Sequence, residues 1–240
     1  MTALDALGRI VGALPWIDWV ALTAFFAGWA SYTRFASSRN EGHSQPSLLA
    51  VTNRERRRWM LQATLRENRV LDGLVVQNLS VSPQFFASTT ILIIGGLLAM
   101  LAATDKAASD LATAIPFAAR TSALVFDMKV VLLVAIFVYA FFRFTWSLRQ
   151  YSFGVLLVAS APNHSEMTAM ADREAFAQRA GRVMGLAAET FNDGLRAYYM
   201  AFAATAWFFS PWAMLAATAG VLSVLYQREF GSEVLAVLRD

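Results

Sequence analysis

The stretch 137–151 (FVYAFFRFTWSLRQY) is the feature that most constrains the fold of this chain. An apolar run that begins near residue 126 enters an aromatic segment with Arg143 and Arg149, and helical spacing of apolar side chains continues to Ala161. Aromatic residues are enriched where membrane helices meet water, and an arginine near a helix end can extend to that interface. We therefore predict a transmembrane helix over about 126–146 that continues into water as one rod of about 32–35 residues, roughly 50 Å long.

Composition favours a membrane environment and limits the chemistry. Hydrophobic residues make up 57% of the chain and charged residues 15%, against roughly 45–50% and 25% in soluble domains. The chain has no cysteine, which excludes disulfides and thiolate sites. Its two histidines, His43 and His164, fall in predicted loops, which argues against intramembrane haem ligands. A metal site that combines them with Glu41 and Glu166 stays open, but solvent-exposed histidines are the better interpretation, so we predict no cofactor and no metal.

Four segments are apolar enough to be read as membrane spans, and two polar segments between them are helical. The spans are predicted at about 16–32, 85–103, 126–146 and 198–226, with Pro211 as a kink or half-break in the last. Residues 2–14 predict a surface helix rather than a cleaved secretory signal. Polar helical segments are predicted at about 52–80, beginning with a capping box of Thr52 and Glu55, and at about 147–197. Asp18 is interpreted as an interfacial carboxylate rather than a proton carrier.

The distribution of positive charge predicts the orientation. Of the 20 lysines and arginines, 14 lie in the segments 34–84 and 143–197. The positive-inside rule places both segments in the cytoplasm and both chain ends on the outer side of a bacterial-type inner membrane. We predict one all-α polytopic membrane domain over 1–240, with four transmembrane helices extended into a cytoplasmic helical layer. Because orientation accounts for the arginines, nucleic acid is not a predicted partner; the lipid bilayer is.

Four motifs in order resemble a known family. They are 57–60 (RRWM), 85–91 (FFASTTI), 139–151 (YAFFRFTWSLRQY) and 191–199 (FNDGLRAYY). Together they resemble the domain-of-unknown-function 599 family of multi-span integral membrane proteins, over about residues 16–230. The resemblance implies a multi-span membrane fold, and it implies no activity and no site residues.

No catalytic signature is found in the sequence. A glycine-flanked serine elbow, a P-loop and a dinucleotide fingerprint are all absent. Glu189 and Asp193 lie one helical turn apart and could share a proton, but such carboxylates more often pair with arginines, and Arg196 has i,i+3 spacing to Asp193. We therefore predict that the protein is not an enzyme.

Polar residues that border the predicted spans form the candidate site, which we call the inner cluster. We expect them at one depth, the cytoplasmic interface, and they are Gln77, Asn78, Arg143, Arg149, Gln150, Asn192, Asp193 and Arg196. One interpretation is a structural collar of arginine–carboxylate and amide bonds. The other is the inner vestibule of an ion pathway whose arginines attract anions.

Function is predicted from the inner cluster and from the absence of catalytic motifs. The leading hypothesis is a homo-oligomeric channel or transporter for a small ion, with an anion favoured. The alternative is a non-transporting structural or accessory subunit of a larger membrane complex. A track of small residues in the second span could line a pore or pack against another helix, and it consists of Ser88, Gly95, Ala99 and Ala103.

Overall fold

The computed structural model describes residues 12, 14–39, 46–104, 122–163, 165–166 and 169–239, and the regular elements in this part of the chain are helices. In chain order they are α1 (Trp16–Ser38), α2 (Leu48–Leu65), α3 (Val70–Ala102), α4 (Ala123–Ala159), α5 (Met170–Thr205), α6 (Pro211–Phe230) and α7 (Glu233–Arg239). Both histidines and most of the predicted surface helix at 2–14 lie outside the described residues.

The predicted helix over 52–80 is two helices in the structure. It begins earlier than the capping box indicates, because the Ser47 hydroxyl oxygen accepts a hydrogen bond from the Ala50 N–H (3.2 Å) and caps α2. The helix ends where Arg66 adopts an extended backbone conformation. The Asn68 side chain then accepts from the Val70 N–H (2.9 Å) at the start of α3. The prediction of one continuous helix is therefore wrong.

Asp72 holds this break in place. Its carboxylate is fully buried and accepts hydrogen bonds from the Trp59 indole (2.7 Å) and the Arg66 guanidinium (2.5 Å). Both donors precede the break and Asp72 follows it, so the contacts fix the angle between α2 and α3. A charged acceptor with two donors makes stronger hydrogen bonds than a neutral pair does.

α4 confirms the predicted long continuous helix, whereas α5 ends inside the predicted last span. α4 runs without interruption for 37 residues, or about 55 Å. α5 ends in a 3₁₀ turn over Ala206–Phe208, and α6 begins at Pro211. Proline suits the first position of a helix because it lacks an N–H, and the Ser210 hydroxyl caps α6 by accepting from the Ala213 N–H (3.0 Å). The predicted span at 198–226 is therefore two helices, which agrees with the half-break predicted at Pro211 and not with a kink.

Two of the described helices, α3 and α4, are long and apolar enough to cross a membrane. Within an 18-residue apolar stretch, 11% of the residues of α3 and 39% of those of α4 are buried. A core helix of a soluble protein would bury most of such a stretch. The apolar surface of α3 therefore faces away from the rest of the chain.

The chain divides into two compact units. The first, here called the apolar unit, comprises the described residues of Met1–Phe35, Thr90–Tyr139 and Arg196–Leu225. Its core includes the fully buried side chains of Phe25, Phe126 and Trp207. α1 approaches α6 at Gly28, where an added Cβ would lie 3.0 Å from the Leu222 side chain.

The second unit, here called the arginine-rich unit, comprises the described residues of Ala36–Thr89, Ala140–Leu195 and Tyr226–Asp240. α2 and α5 approach closely at Gly181 and Gly185, which are four residues apart on one face of α5. An added Cβ on Gly181 would lie 2.8 Å from the Cα of Arg57, and one on Gly185 would lie 3.0 Å from the Asn53 side chain. Small residues at this spacing let two helix backbones come together.

Arginines of this unit satisfy carbonyl groups at helix ends. Arg69 donates to the carbonyls of Ala161 (2.7 Å) and Pro162 (2.5 Å), just beyond the end of α4. Arg173 of α5 donates to the carbonyl of Thr64 in the last turn of α2 (2.5 Å). The last carbonyls of a helix lack intrahelical partners and carry partial negative charge, so cations are favourable there.

The C-terminal helix packs on α2 within the arginine-rich unit. Arg239 donates to the Pro46 carbonyl (2.8 Å), and Arg54 donates to the Leu238 carbonyl (3.4 Å). The C-terminus was predicted on the side of the membrane opposite to the segment 34–84, which contains α2; these contacts bring the two together, and the side of the membrane stays a prediction.

Candidate functional site

The inner cluster contains one ion pair that the structure forms between α4 and α5. The Arg143 guanidinium donates to the Asp193 carboxylate, and the two side chains are 30% and 13% exposed. Gly194 makes this approach possible, because it packs directly against the Phe144 ring, where a Cβ would clash. The Arg143 Nε is buried without a hydrogen-bond partner in the described part of the chain. This pair has the arginine–carboxylate chemistry that the collar interpretation requires.

A buried amide side chain, that of Gln150, lies two turns further along α4. Gln150 is 9% exposed, and its Oε1 has no hydrogen-bond partner among the residues that the structure describes. One turn before it, the Ser147 hydroxyl donates to the Ala187 carbonyl of α5 (2.8 Å). Buried polar atoms are nearly always paired in folded proteins. The unpaired oxygen of Gln150 is therefore available to a further donor.

The other members of the inner cluster do not join this pair. Gln77, Asn78 and Arg149 are exposed, and Asn192 is partly exposed. The Arg149 guanidinium lies 5.4 Å from the ring centroid of Phe153. These side chains cover the surface of the arginine-rich unit and do not extend the ion pair.

Arg196 belongs to the apolar unit. It is 5% exposed, and its guanidinium lies 5.8 Å from the ring centroid of Tyr32 on α1. A cation over an aromatic face is attracted by the negative charge of that face, more strongly where water is absent. Seven of the eight predicted residues thus fall in the arginine-rich unit. Arg196 falls in the apolar unit, where it lies over an aromatic ring.

In the arginine-rich unit, the partly buried Arg56 lies near the Tyr151 phenol. Arg56 donates to Asn53 (2.8 Å) and Thr52 (3.0 Å) on its own helix. Burial lowers the pKa of Arg56 and raises the pKa of Tyr151, and the interaction between the two groups partly opposes each shift. Tyr151 belongs to the predicted aromatic segment, whereas its arginine neighbour was not predicted.

The apolar unit contains a second set of buried charges, which we call the outer pair. The Trp207 indole donates to the Asp18 carboxylate (2.5 Å), and the Lys129 ammonium lies 5.5 Å from the centroid of the same indole. Asp18 is 6% exposed and Lys129 is 3% exposed. The outer pair is Asp18 and Lys129, with Trp207 between them.

Local structure brings these groups together from three helices. Asp18 lies in the first turn of α1, where the helix dipole favours a carboxylate. The 3₁₀ turn after α5 carries Trp207 into the core, and Phe208 in the same turn lies 5.7 Å from the Lys129 ammonium. The sequence signal for this site is a lysine and an aspartate in two separate apolar segments, which favours their pairing. Asp18 was interpreted as an interfacial group, and Lys129 was not predicted at all.

In the apolar unit, α4 and α1 also form a lateral groove. Its volume is about 570 Å³, and it is lined by Phe26, Trp29, Ala30, Thr33, Arg34, Leu132, Ala135, Ile136 and Tyr139. Trp29 and Tyr139 pack edge to face across it, with ring centroids 5.7 Å apart. No group of three or more histidine, cysteine, aspartate or glutamate residues is positioned to hold a metal ion in the described ranges of the chain.

Comparison with known proteins identifies the family. The family model described as "Protein of unknown function, DUF599" matches residues 20–234. No curated protein and no solved structure matches the chain. The match covers nearly the whole length and confirms the resemblance carried by the four motifs. The chain therefore belongs to the DUF599 family.

Proposed function

We propose that this protein crosses the membrane five times and moves a small ion, with anions favoured. The observation that carries the proposal is the outer pair, in which ionisable side chains are kept buried among apolar helices. Charged groups inside membrane-spanning segments are costly, and such groups often mark ion pathways. The outer pair thereby takes the place of the inner cluster as the centre of the transport hypothesis.

Helix connectivity supports five crossings instead of four. Each of α1, α3, α4, α5 and α6 has residues in both units, and α7 packs on α2. A cytoplasmic C-terminus adds Arg228 and Arg239 to the inner side, so that 16 of the 20 basic residues lie there instead of 14. This arrangement fits the positive-inside rule better than the four-span prediction does. In it, the N-terminus lies outside and the C-terminus lies inside.

Exposed aromatic residues support the same arrangement. Trp16 and Trp212 are 74% and 66% exposed, and each lies at the first or second residue of a helix that begins in the apolar unit. Phe142 and Trp146 are exposed where α4 enters the arginine-rich unit. Aromatic belts at both membrane–water interfaces produce this pattern.

The preference for anions rests on the hydrogen-bond donors of two cationic side chains, Lys129 and Arg143. No hydrogen bond to the Lys129 ammonium is found among the described residues, and the Arg143 Nε is also unpaired. An ammonium has three donors, and a buried donor without an acceptor, such as the Arg143 Nε, is unfavourable. A small anion that reaches Lys129 would supply the missing acceptor.

Flux measurements in liposomes test the proposal. We expect chloride flux above that of protein-free liposomes, and a loss of about tenfold or more in the double variant Asp18→Leu/Lys129→Met, which removes both charges and leaves neither unpaired. Arg149→Gln, an exposed arginine on the same helix, is the matched control and should conduct normally. No flux of chloride, potassium or protons would refute transport, and normal flux in the double variant would refute the site.

The second candidate is a structural or accessory subunit, and the outward face of α3 favours it. Ser88, Gly95, Ala99 and Ala103 are all exposed, and an added Cβ on Gly95 would meet nothing within 4 Å among the described residues. Such a small-residue face suits close packing against another membrane helix, from a second copy or from another protein. The homo-oligomer that we propose would use this face.

Size measurement in detergent separates these possibilities. Gly95→Leu has space within the chain, so it should leave the monomer folded and weaken association through α3. Gly220→Leu on α6 has equally open surroundings and is the control. A homo-oligomer that survives Gly95→Leu would exclude α3 as the interface. A strict monomer of the wild type would exclude self-association and leave a different partner chain as the occupant of this face.

A further inference from the structure

The groove between α1 and α4 combines an apolar floor with one positive charge at its rim. Phe26, Ala30, Leu132 and Ile136 supply apolar surface, and Arg34 is the charged residue among the described lining side chains. Arg34 is exposed, and no hydrogen bond or ion pair to its side chain is found within the described ranges. The groove thus offers an apolar surface and an unpaired cation to a ligand that has both a tail and a negative head.

The dimensions of the groove fit one lipid chain. Phe26 and Arg34 are eight residues apart, which corresponds to about 12 Å along α1. One leaflet contributes about half of the roughly 30 Å hydrocarbon core, so the groove extends over most of the depth of one leaflet. Its volume of about 570 Å³ is within the range of sites for small ligands.

The position of Arg34 selects the headgroup. Arg34 lies four residues before the end of α1, next to the start of the arginine-rich unit. In the proposed orientation this is the cytoplasmic interface, where anionic phospholipids are concentrated and basic pockets between membrane helices bind their headgroups. An arginine also matches phosphate oxygens with a planar pair of donors.

We infer that this groove binds one anionic phospholipid of the inner leaflet, with an acyl chain against Phe26, Ala30 and Ile136 and the phosphate at Arg34. Trp29 and Tyr139 lie at the interfacial depth that aromatic side chains prefer. The hydroxyl of Thr33, which also lines the groove, adds a donor for the headgroup. The inference rests on the membrane residence in the proposed function, and it does not depend on ion transport.

Native mass spectrometry of the full-length protein in detergent tests the inference. After delipidation, we expect phosphatidylglycerol to bind about fivefold tighter than phosphatidylcholine with the same acyl chains. Arg34→Gln should abolish this preference, whereas Arg149→Gln, another exposed arginine, should retain it. Equal binding of the two lipids by the wild type, or an unchanged preference in Arg34→Gln, would overturn the proposal.

Two further measurements distinguish binding of the acyl tail from binding of the headgroup. Ala30→Trp should fill the groove and weaken both lipids, while Ala27→Trp on the same helix, outside this groove, should not. Inorganic phosphate should not displace phosphatidylglycerol at equal concentration; if it does, the site is an anion site and the lipid assignment is wrong. A protein that binds phosphatidylglycerol and conducts no ion refutes only transport. One that stays soluble without detergent refutes membrane residence itself.

Discussion

The buried cations of the apolar unit and the helix-end arginines of the arginine-rich unit have different partners. In the apolar unit, Lys129 and Arg196 lie over aromatic rings, and Asp18 bonds to an indole. In the arginine-rich unit, Arg69 and Arg173 donate to backbone carbonyls at helix ends. Ring faces stabilise a cation without adding polar groups, which suits surroundings from which water is excluded. Carbonyl and carboxylate partners are common where water can accept hydrogen bonds from the remaining N–H groups of the cation. The contrast supports a membrane location for the apolar unit only.

The largest expected effect comes from removing one charge of the outer pair. Asp18→Leu leaves Lys129 buried without a counter-charge and removes the acceptor of the Trp207 indole, so it should cost about 3–5 kcal/mol of stability. Adding Lys129→Met should restore part of the loss, because it removes the remaining buried charge, while the Trp207 N–H still lacks its acceptor. Thermal unfolding in detergent measures both variants. If the single variant is as stable as the wild type, water reaches the outer pair and the contrast between the units fails.

The second effect concerns the close approach of α2 and α5. Gly181→Ala places a methyl group against the backbone of Arg57, which cannot move aside as a side chain could. We expect a loss of about 2–3 kcal/mol from overpacking. Gly73→Ala, in a helix of the same unit with open surroundings, should instead stabilise by about 0.5–1 kcal/mol. Equal effects of the two substitutions on the unfolding temperature would mean that the helices are further apart than described.

The smallest expected effect tests whether the inner cluster is a collar. Arg143→Met removes the partner of Asp193 and should cost about 1–2 kcal/mol, because the ion pair is partly exposed and hence screened. Arg149→Met should change stability by less than about 0.5 kcal/mol, since its charge faces outward. Unfolding midpoints and chloride flux are measured on both. A large loss of flux with unchanged stability would favour the vestibule interpretation over the collar.

The sequence predicts those parts of the fold in which one helix follows one continuous pattern. α4 is predicted because its apolar spacing persists from the apolar run through the aromatic segment. The break between α2 and α3 is not, because residues 66–69 contain neither glycine nor proline and the break depends on Asp72, which contacts Trp59 and Arg66. An interruption at Pro211 is predicted as one of two alternatives, but the turn at 206–210 is not, because its aromatic residues are typical of a membrane-embedded helix. Pro211 begins a helix there instead of bending one.

The sequence predicts which residues belong to the candidate site but not which of them pair with one another. Arg143 and Asp193 are both in the predicted cluster, but their pairing depends on how α4 and α5 rotate about their axes, which is set by Gly194 against Phe144. The pairing of Lys129 with Asp18 requires contact between segments more than a hundred residues apart. The pattern of residues in a single sequence does not show which distant segments are in contact.

The docking of α7 on α2 has a consequence for how this protein can be joined to itself or to a reporter. If the chain crosses the membrane five times, as we propose, its two ends lie on opposite faces of the bilayer. A tandem dimer made with a short polar linker would then insert its second copy upside down, and only a linker that itself spans the membrane would align the two. A fluorescent protein that folds only in the cytoplasm should become bright when fused after the last residue and stay dark when fused before the first.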